Sequence, residues 1–142
     1  MRVVADTNVL ISALLWVGLP HRILEFAEEG NIQLYTSPPL VQELAEVLRR
    51  PKFSARLQAL RVISDNLVAG YVRLAHLVLP KPIPPTILED IADDAVLACA
   101  CAAKAKYVIS GDSHLLHVRS YEGILIVSPH AFFRKEEMRI QE

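Results

Sequence analysis

Residues 3–15 read VVADTNVLISALL, two apolar runs separated by three polar residues. Val3, Val4 and Ala5 form the first run, which predicts a short buried strand. The polar residues that follow are of the types that cap helices, and apolar residues then recur at helical spacing. This stretch therefore predicts a strand that leads directly into a helix, with Asp6 at the carboxyl end of the strand.

The same alternation continues along the chain. Further strands are predicted at Ile32–Thr36, Tyr107–Ile109 and Ile124–Val127. Further helices are predicted over residues 21–28, from residue 38 until Pro51 ends the helix, over about 54–69 and about 91–104, and from about 129 onward. Strands that alternate with helices predict an α/β fold with a mostly parallel sheet, and short connections favour right-handed crossovers.

The composition is typical of one compact domain. The chain has 142 residues, of which 52% are hydrophobic and 22% are charged, and we expect residues 1–142 to form a single domain. The prolines of the stretch Pro80–Pro85 predict an extended connector within that domain. A net charge of −1 excludes a global basic field, so that a nucleic acid would have to be held by local patches or bound metal. Because no signal peptide or membrane span is recognisable, we expect a cytoplasmic protein without a membrane partner.

Acidic residues from four separate segments are expected at one edge of the sheet. In open parallel sheets, ligands bind outside the carboxyl ends of the strands, and crossover helices begin at that same edge. Asp6 and Asp112 follow predicted strands, and Glu43 lies in the early turns of a helix, beside its apolar face. Asp93 and Asp94 lie at the start of the helix predicted near residue 91. The sequence thus predicts a cluster of carboxylates.

A cluster of this kind needs a compensating charge. Two carboxylates about 4 Å apart repel by roughly 4 kcal/mol at an effective dielectric constant near 20. One of them therefore takes up a proton, or a cation neutralises the cluster. Oxygen ligands without supporting His or Cys suit Mg²⁺ or Mn²⁺. The chemistry implied is the attack of metal-activated water on a phosphodiester.

Each acid also has a structural alternative. Asp6 could simply cap the following helix, Asp112 could be an ordinary turn residue, and Glu43 could be solvated at the border of its helix.

The segment near residue 91 contains three acids, and helix capping is an alternative role for them. Asp90 is placed as a helix cap and Asp93 as a capping-box residue, and the capping role is favoured for both. Asp94 is less needed for capping, but the residues alone leave open whether Asp93 or Asp94 is the main ligand from this segment.

These motifs resemble the PIN-domain family, and most closely its VapC-type toxin branch. Residues 6–12, DTNVLIS, resemble the opening motif, in which a strand-end aspartate binds metal. Three further blocks resemble the segments that carry the family's other acids: 37–44, SPPLVQEL; 90–100, DIADDAVLACA; and 108–116, VISGDSHLL. Residues 126–132, IVSPHAF, resemble the closing strand and helix. The resemblance therefore covers nearly the whole chain, in the family's order.

The resemblance implies a fold and a metal site. The fold is a three-layer α/β/α sandwich with a central, mostly parallel sheet. Asp6, Asp94 and Asp112 would hold one or two Mg²⁺ or Mn²⁺ ions, and Glu43 would complete this ring of catalytic, metal-binding acids.

The resemblance also implies an activity and partners. The activity is that of a metal-dependent endoribonuclease, which cleaves RNA to leave 5′-phosphate and 3′-hydroxyl ends. Asn8, Ser110 and Asp93 would orient the metal ligands. A VapC-type toxin belongs to a toxin–antitoxin system, forms a homodimer or higher homo-oligomer, and binds a small antitoxin protein that blocks the acidic cleft.

Arg49, Arg50 and Lys52, together with Arg56, form the densest basic cluster in the sequence. They follow the helix that carries Glu43, and a helix of this length places them roughly 10 Å from that residue. This separation suits the binding of neighbouring RNA phosphates. The alternative is a solvated helix end, where cations interact favourably with the helix dipole.

Three other side chains have open or minor roles. His114 and His117 follow Asp112, and since the oxygen site is complete we expect both to have a surface or loop role. Trp16, the only tryptophan in the chain, is equally compatible with an oligomer contact and with burial in the core.

Two functional alternatives come from other classes of protein. Receiver domains and some phosphatases also place acids at strand ends, but a receiver needs an aspartate after a middle strand and a lysine after a later one. Here Ser37 and Ser128 follow the corresponding strands. The second alternative is a non-catalytic PIN-fold module that binds RNA or protein, which the intact set of four acids disfavours.

Overall fold

The structure is a computed structural model that describes residues 1–84 and 91–141. Its strands are β1 (Arg2–Ala5), β2 (Gln33–Thr36), β3 (His76–Leu77), β4 (Tyr107–Ile109), β5 (Ser120–Tyr121) and β6 (Ile124–Val127). Its helices are α1 (Thr7–Leu15), α2 (Leu19–Glu28), α3 (Pro38–Leu48), α4 (Ser54–Leu60), α5 (Ser64–Leu74), α6 (Ile91–Ala103), α7 (Ser113–Val118) and α8 (Pro129–Gln141). A 3₁₀ turn, Pro51–Phe53, joins α3 to α4.

The strands form a six-stranded sheet in the order β3-β2-β1-β4-β6-β5. β1 pairs in parallel with both β2 and β4, and parallel pairing extends outward to β3 and β6. β5 pairs with β6 in the antiparallel direction. The predicted α/β fold with a mostly parallel sheet is confirmed. Because β1 and β4 are neighbours, the residues that follow them lie side by side at the carboxyl edge.

Helices cover both faces of the sheet. Val3 and Val4 are neighbours in β1 and both are fully buried, but they belong to different hydrophobic clusters. The cluster around Val3 includes side chains of α1, α2 and α8, whereas the cluster around Val4 is built largely from α6 and includes Leu115 of α7. Successive side chains of a strand point to opposite faces of its sheet. The two clusters are therefore the two sides of a three-layer α/β/α sandwich, as the resemblance implied.

Three short elements and one helix break were not predicted. β3 and β5 have two residues each and α7 has six, which is too few for a periodic pattern to be recognised. The helical region predicted over 54–69 is divided into α4 and α5, because Arg61 adopts a left-handed conformation with a φ of 56° and ends α4. Two residues named in the sequence analysis, Pro85 and Asp90, lie outside the described residues.

Within the described part of the chain, no single helix is long and apolar enough to cross a membrane. α1 and α2 reach the required length and composition only when they are counted together, and the two are bent by 87°.

Candidate metal-binding active site

Asp6 connects the end of β1 to the start of α1. Its backbone N–H donates to the carbonyl oxygen of Ile109 at 3.0 Å, which ties it to the end of β4. Its Oδ1 accepts a hydrogen bond from the backbone N–H of Val9 at 2.9 Å, so that Asp6 is the N-cap of α1. The residue is only 5% exposed, yet it lines an open cavity. Helix capping and a place in the cavity are thus not alternatives, because one carboxylate does both.

Ser110 connects the two aspartates that follow β1 and β4. It is fully buried, and its hydroxyl group donates to Oδ2 of Asp6. The same hydroxyl oxygen accepts a hydrogen bond from the backbone N–H of Asp112 at 2.9 Å. Ser110 therefore contacts Asp6 directly, and its effect on a metal ligand stays a prediction.

Glu43 reaches the site from α3 and is partly buried. The hydroxyl group of Thr7, in the first turn of α1, donates to Oε2 of Glu43 at 2.9 Å. This bond connects α1 to α3 at the cavity and holds the Glu43 carboxylate in place.

Asp112 follows β4 and caps the short helix α7. Its Oδ1 accepts hydrogen bonds from the backbone N–H groups of His114 at 2.7 Å and of Leu115 at 3.2 Å. As with Asp6, the cap is combined with a place in the cavity wall.

A single open cavity of about 60 Å³ brings these side chains together. Its walls are formed by Asp6, Thr7, Asn8, Glu43, Asp93, Val96 and Asp112. One water needs roughly 10–15 Å³ of such a volume. The cavity therefore has room for an ion with a few waters, but not for a nucleotide.

The third acidic segment places Asp93, and not Asp94, in the cavity. Asp93 is 6% exposed and lines the wall, whereas Asp94 is partly exposed and does not. Successive residues of a helix are about 100° apart, so only one of two neighbours can face the cavity. Val96 follows Asp93 by three residues and lies on the same wall. The structure therefore places Asp93, rather than Asp94, where a cavity ion would lie. Which of the two is the metal ligand stays a prediction.

The electrostatic environment of Asp6 disfavours its charged form. Burial raises the pKa of the Asp6 carboxyl group, and the nearby Asp112 raises it further. Hydrogen bonds from Ser110 and from the backbone N–H groups of Val9 and Gly111 lower this pKa, but they do not outweigh burial. A cation in the cavity would favour the ionised form.

His114 lies beside the acids, a position that the sequence analysis did not assign to it. Its Nδ1 is 3.7 Å from Oδ1 of Asp112. One possible donor atom from each of Asp93, Asp112 and His114 lies within 4.8 Å of the other two. The sequence signal for this position is that His114 follows Asp112 by two residues. That spacing brings the two side chains together only because Asp112 caps the short helix α7, which the sequence did not predict.

The residues predicted to bind nucleic acid lie just beyond the C-terminal end of α3. Arg49 forms an ion pair with Asp65, with Nη2 and Oδ1 3.0 Å apart. Arg50 and Lys52 are exposed, and the Lys52 ammonium lies 5.1 Å from the centre of the Phe53 ring. Contact of the three cations with RNA stays a prediction.

Trp16 directly follows α1 and is 43% exposed. Of the two alternatives for Trp16, burial in the core is therefore wrong. The guanidinium group of Arg56 lies 5.6 Å from the centre of the Trp16 ring, and its Nε donates to the carbonyl oxygen of Leu15 at 2.7 Å. A role in an oligomer contact stays a prediction.

The fold and the cavity together define a class: a three-layer α/β/α protein whose carboxylates meet at the carboxyl edge of a mostly parallel sheet. A family model described as the PIN domain matches residues 2–114, a range that includes all four acids of the cavity. The chain belongs to the PIN domain family. Membership sets aside the receiver-domain and phosphatase alternative.

Two comparisons place the chain among known proteins. The uncharacterized protein MJ1680 of Methanocaldococcus jannaschii is 32% identical over 120 residues, which are 84% of this chain and 76% of that protein. A chain in the crystal structure of VapBC2 from Rickettsia felis, bound to a DNA fragment from their promoter, matches with a TM-score of 0.59. The match covers 89% of this chain and 97% of that chain at 12% identity, which supports the fold alone.

Proposed function

We propose that the protein is an endoribonuclease that hydrolyses RNA phosphodiesters with the help of bound Mg²⁺ or Mn²⁺. The observation that carries the proposal is the convergence of Asp6, Glu43, Asp93 and Asp112 in one small cavity. The four acids come from four separate segments, and Asp6 and Asp93 are almost completely buried. Burying like charges together is unfavourable for folding, so their convergence favours a functional reason.

The donor set fits a hard divalent cation. Four carboxylates supply only oxygen ligands, which suit Mg²⁺ and Mn²⁺, and the cavity has room for the waters that Mg²⁺ keeps. The raised pKa of Asp6 has burial as its main cause, a cost that a bound cation offsets. We assign one or two ions to Asp6, Asp93 and Asp112, with Glu43 completing the ring.

When bound, the ion supplies Lewis acidity that makes a water a better nucleophile and stabilises charge on the phosphate. The protein itself positions the acids. Ser110 holds one oxygen of Asp6 while a backbone N–H holds the other, and Thr7 holds Oε2 of Glu43. Because these contacts are formed within the protein, the acids are oriented before a substrate arrives.

The proposed substrate lies across the mouth of the cavity, since a nucleotide does not fit inside it. The exposed cations Arg50 and Lys52 lie beyond α3, roughly 10 Å from Glu43, and would bind phosphates further along the strand. RNA as the substrate class follows from the resemblance to VapC-type enzymes.

We further propose that this ribonuclease is the toxin of a toxin–antitoxin pair and acts in the cytoplasm as a homodimer or higher homo-oligomer. The support is the resemblance of the four acidic blocks to VapC-type toxins. An acidic cavity accepts a basic side chain, which is how a small antitoxin would block it. Co-purification with the product of the neighbouring gene tests the partner, and light scattering after size exclusion tests the oligomer.

Cleavage of labelled single-stranded RNA tests the enzymatic proposal. With Mg²⁺ or Mn²⁺ we expect fragments with 5′-phosphate and 3′-hydroxyl ends, no cleavage in EDTA, and recovery when excess metal is added. Asp6→Asn keeps the size of the side chain but removes its charge, and we expect the rate to fall about 100-fold or more.

Glu46→Gln is the matched control, since Glu46 is exposed on α3, three residues after Glu43, and does not line the cavity. We expect this variant to cleave RNA at the rate of the unmodified protein. Cleavage in EDTA, or full activity of Asp6→Asn, would contradict the proposal. RNA binding without cleavage at any metal concentration would instead favour a non-catalytic module of the same fold.

A further inference from the structure

His114 lies where it can share an ion with two of the cavity acids. One possible donor atom of His114 lies within 4.8 Å of donor atoms of both Asp93 and Asp112, and its Nδ1 is 3.7 Å from Oδ1 of Asp112. Two donors of one ion, each about 2.1 Å from it, lie about 3 Å apart at a right angle and about 4.2 Å apart across the ion. The 3.7 Å between His114 Nδ1 and Asp112 Oδ1 falls between these two distances. The remaining donor atoms are at most 4.8 Å apart, which exceeds the larger of the two distances by only about 0.6 Å.

The backbone of His114 is held by a hydrogen bond to Asp112, and its side chain is more than half exposed. The His114 N–H donates to Oδ1 of Asp112 at 2.7 Å, a bond that begins α7 and holds the two residues at a constant separation. The His114 side chain is 56% exposed and lies at the edge of the acidic cluster rather than in the core. Asp93, by contrast, is buried in the cavity wall. An ion shared by these residues would therefore have the buried carboxylate of Asp93 on one side and the exposed imidazole of His114 on the other.

We propose that His114 is a nitrogen ligand of the divalent ion and that it shifts the metal preference of the site from Mg²⁺ toward Mn²⁺ and Co²⁺. The inference rests on the proposed function in that the acidic cavity must hold an ion. Carboxylates alone suit Mg²⁺, whereas imidazole adds affinity for transition-metal ions and little for Mg²⁺. One nitrogen among oxygen ligands thus changes selectivity more than it changes the capacity to bind an ion.

Metal binding by the full chain tests this inference without an activity assay. Isothermal titration calorimetry with Mg²⁺, Mn²⁺ and Co²⁺ is carried out on the unmodified protein, His114→Ala and His117→Ala. His117 is the matched control, because it is an exposed histidine one turn further along α7 and outside the cluster. We expect His114→Ala to weaken Mn²⁺ and Co²⁺ binding about tenfold or more and Mg²⁺ binding less than about threefold. His117→Ala is expected to change neither.

Pulsed electron paramagnetic resonance of the Mn²⁺-loaded protein gives a second readout. Modulation from a directly bound ¹⁴N nucleus is expected in the unmodified protein and in His117→Ala, and is expected to be lost in His114→Ala. The inference is overturned if Mn²⁺ affinity and the ¹⁴N signal are the same in His114→Ala and in the unmodified protein. If the unmodified protein binds none of the three ions, the proposed metal-dependent function fails together with it.

Discussion

The hydroxyl group of Ser110 donates a hydrogen bond to Oδ2 of Asp6, and so connects the residues that follow β4 and β1. Its oxygen also accepts from the backbone N–H of Asp112 at 2.9 Å. Ser110 is fully buried, so a water molecule does not easily take the place of its hydroxyl group when that group is removed by mutation. One small side chain thus sets the orientation of Asp6 and the path of the chain into Asp112.

Ser110→Ala removes both hydrogen bonds and leaves the carboxylate of Asp6 with one donor fewer. Because a buried hydrogen bond to a charged group contributes about 1.5–3 kcal/mol, we expect the free energy of unfolding to fall by about this amount. We expect RNA cleavage to fall about 10- to 100-fold, because Asp6 is no longer held in one orientation. Urea unfolding and single-turnover cleavage measure the two effects.

Ser128→Ala is the matched control for this variant. Ser128 follows β6 as Ser110 follows β4, and its hydroxyl oxygen accepts from the backbone N–H of Ala131 at 3.1 Å at the start of α8. Loss of this cap is expected to cost about 1 kcal/mol of stability and to leave cleavage unchanged. Equal activities of Ser110→Ala and Ser128→Ala would show that the contact with Asp6 has no functional role.

The raised pKa of Asp6 predicts a pH-dependent stability for the metal-free protein. Above the ordinary value of 3.8 the unfolded chain has lost the proton of Asp6, while the folded protein still holds it until the pH passes the raised pKa. Stability contributed by this group is therefore lost as the pH rises through that window. Asp6→Asn carries no such proton. In EDTA we expect the unfolding free energy of the unmodified protein to fall relative to Asp6→Asn as the pH rises, and then to level off.

Added metal provides the control for this pH prediction. Saturating Mn²⁺ binds the folded protein and offsets the charge of Asp6, so it should stabilise the unmodified protein at neutral pH and have little effect on Asp6→Asn. Denaturant titrations at several pH values, with EDTA or Mn²⁺, measure both trends. An increase in relative stability of the unmodified protein with rising pH in EDTA would contradict the sign of the pKa shift.

Much of the fold could be predicted because its central strands are short apolar runs with clear boundaries. β4 is entirely buried, and β1, β2 and β6 each have one exposed residue among mostly buried ones. Asp6 follows β1 and Asp112 follows β4. β3 and β5 have two residues each and depend on pairing with the edges of β2 and β6, an interaction that leaves no local pattern. The convergence of the acids followed from the direction of the strands and needed no side-chain detail.

The choice between Asp93 and Asp94 could not be made from local patterns. From Ala95 to Ala103 the helix is uncharged, so the sequence alone does not reveal which of its faces is buried. In the structure Val96 lines the cavity with Asp93, which identifies the face that turns toward the other acids. The resemblance pointed to Asp94, whereas the orientation of the helix on the sheet places Asp93 in the cavity wall.

Asparagine substitutions at these two neighbours test which of them is the metal ligand. Asp93→Asn removes a charge from the cavity wall, and we expect cleavage to fall about 100-fold or more and Mn²⁺ affinity to fall about tenfold or more. Asp94→Asn makes the same chemical change at the adjacent residue, and we expect its cleavage rate to stay within about threefold of that of the unmodified protein. The reverse result, with Asp94→Asn the inactive variant, would identify Asp94 as the ligand.

The cations beyond α3 are predicted to contribute to RNA binding rather than to the chemical step. Arg50 and Lys52 are exposed, whereas Arg49 is already paired with Asp65. Because charges roughly 10 Å from Glu43 contact other phosphates than the one being cleaved, the double substitution Arg50→Glu with Lys52→Glu should raise KM about tenfold and leave kcat within about twofold. It should also lower the slope of log KM against log salt concentration by about one to two, since fewer counterions are released when RNA binds. The double substitution Arg134→Glu with Lys135→Glu, at exposed positions on α8, is the charge-matched control and should leave KM and its salt dependence unchanged. A fall in kcat at constant KM would instead place the two cations in the chemical step.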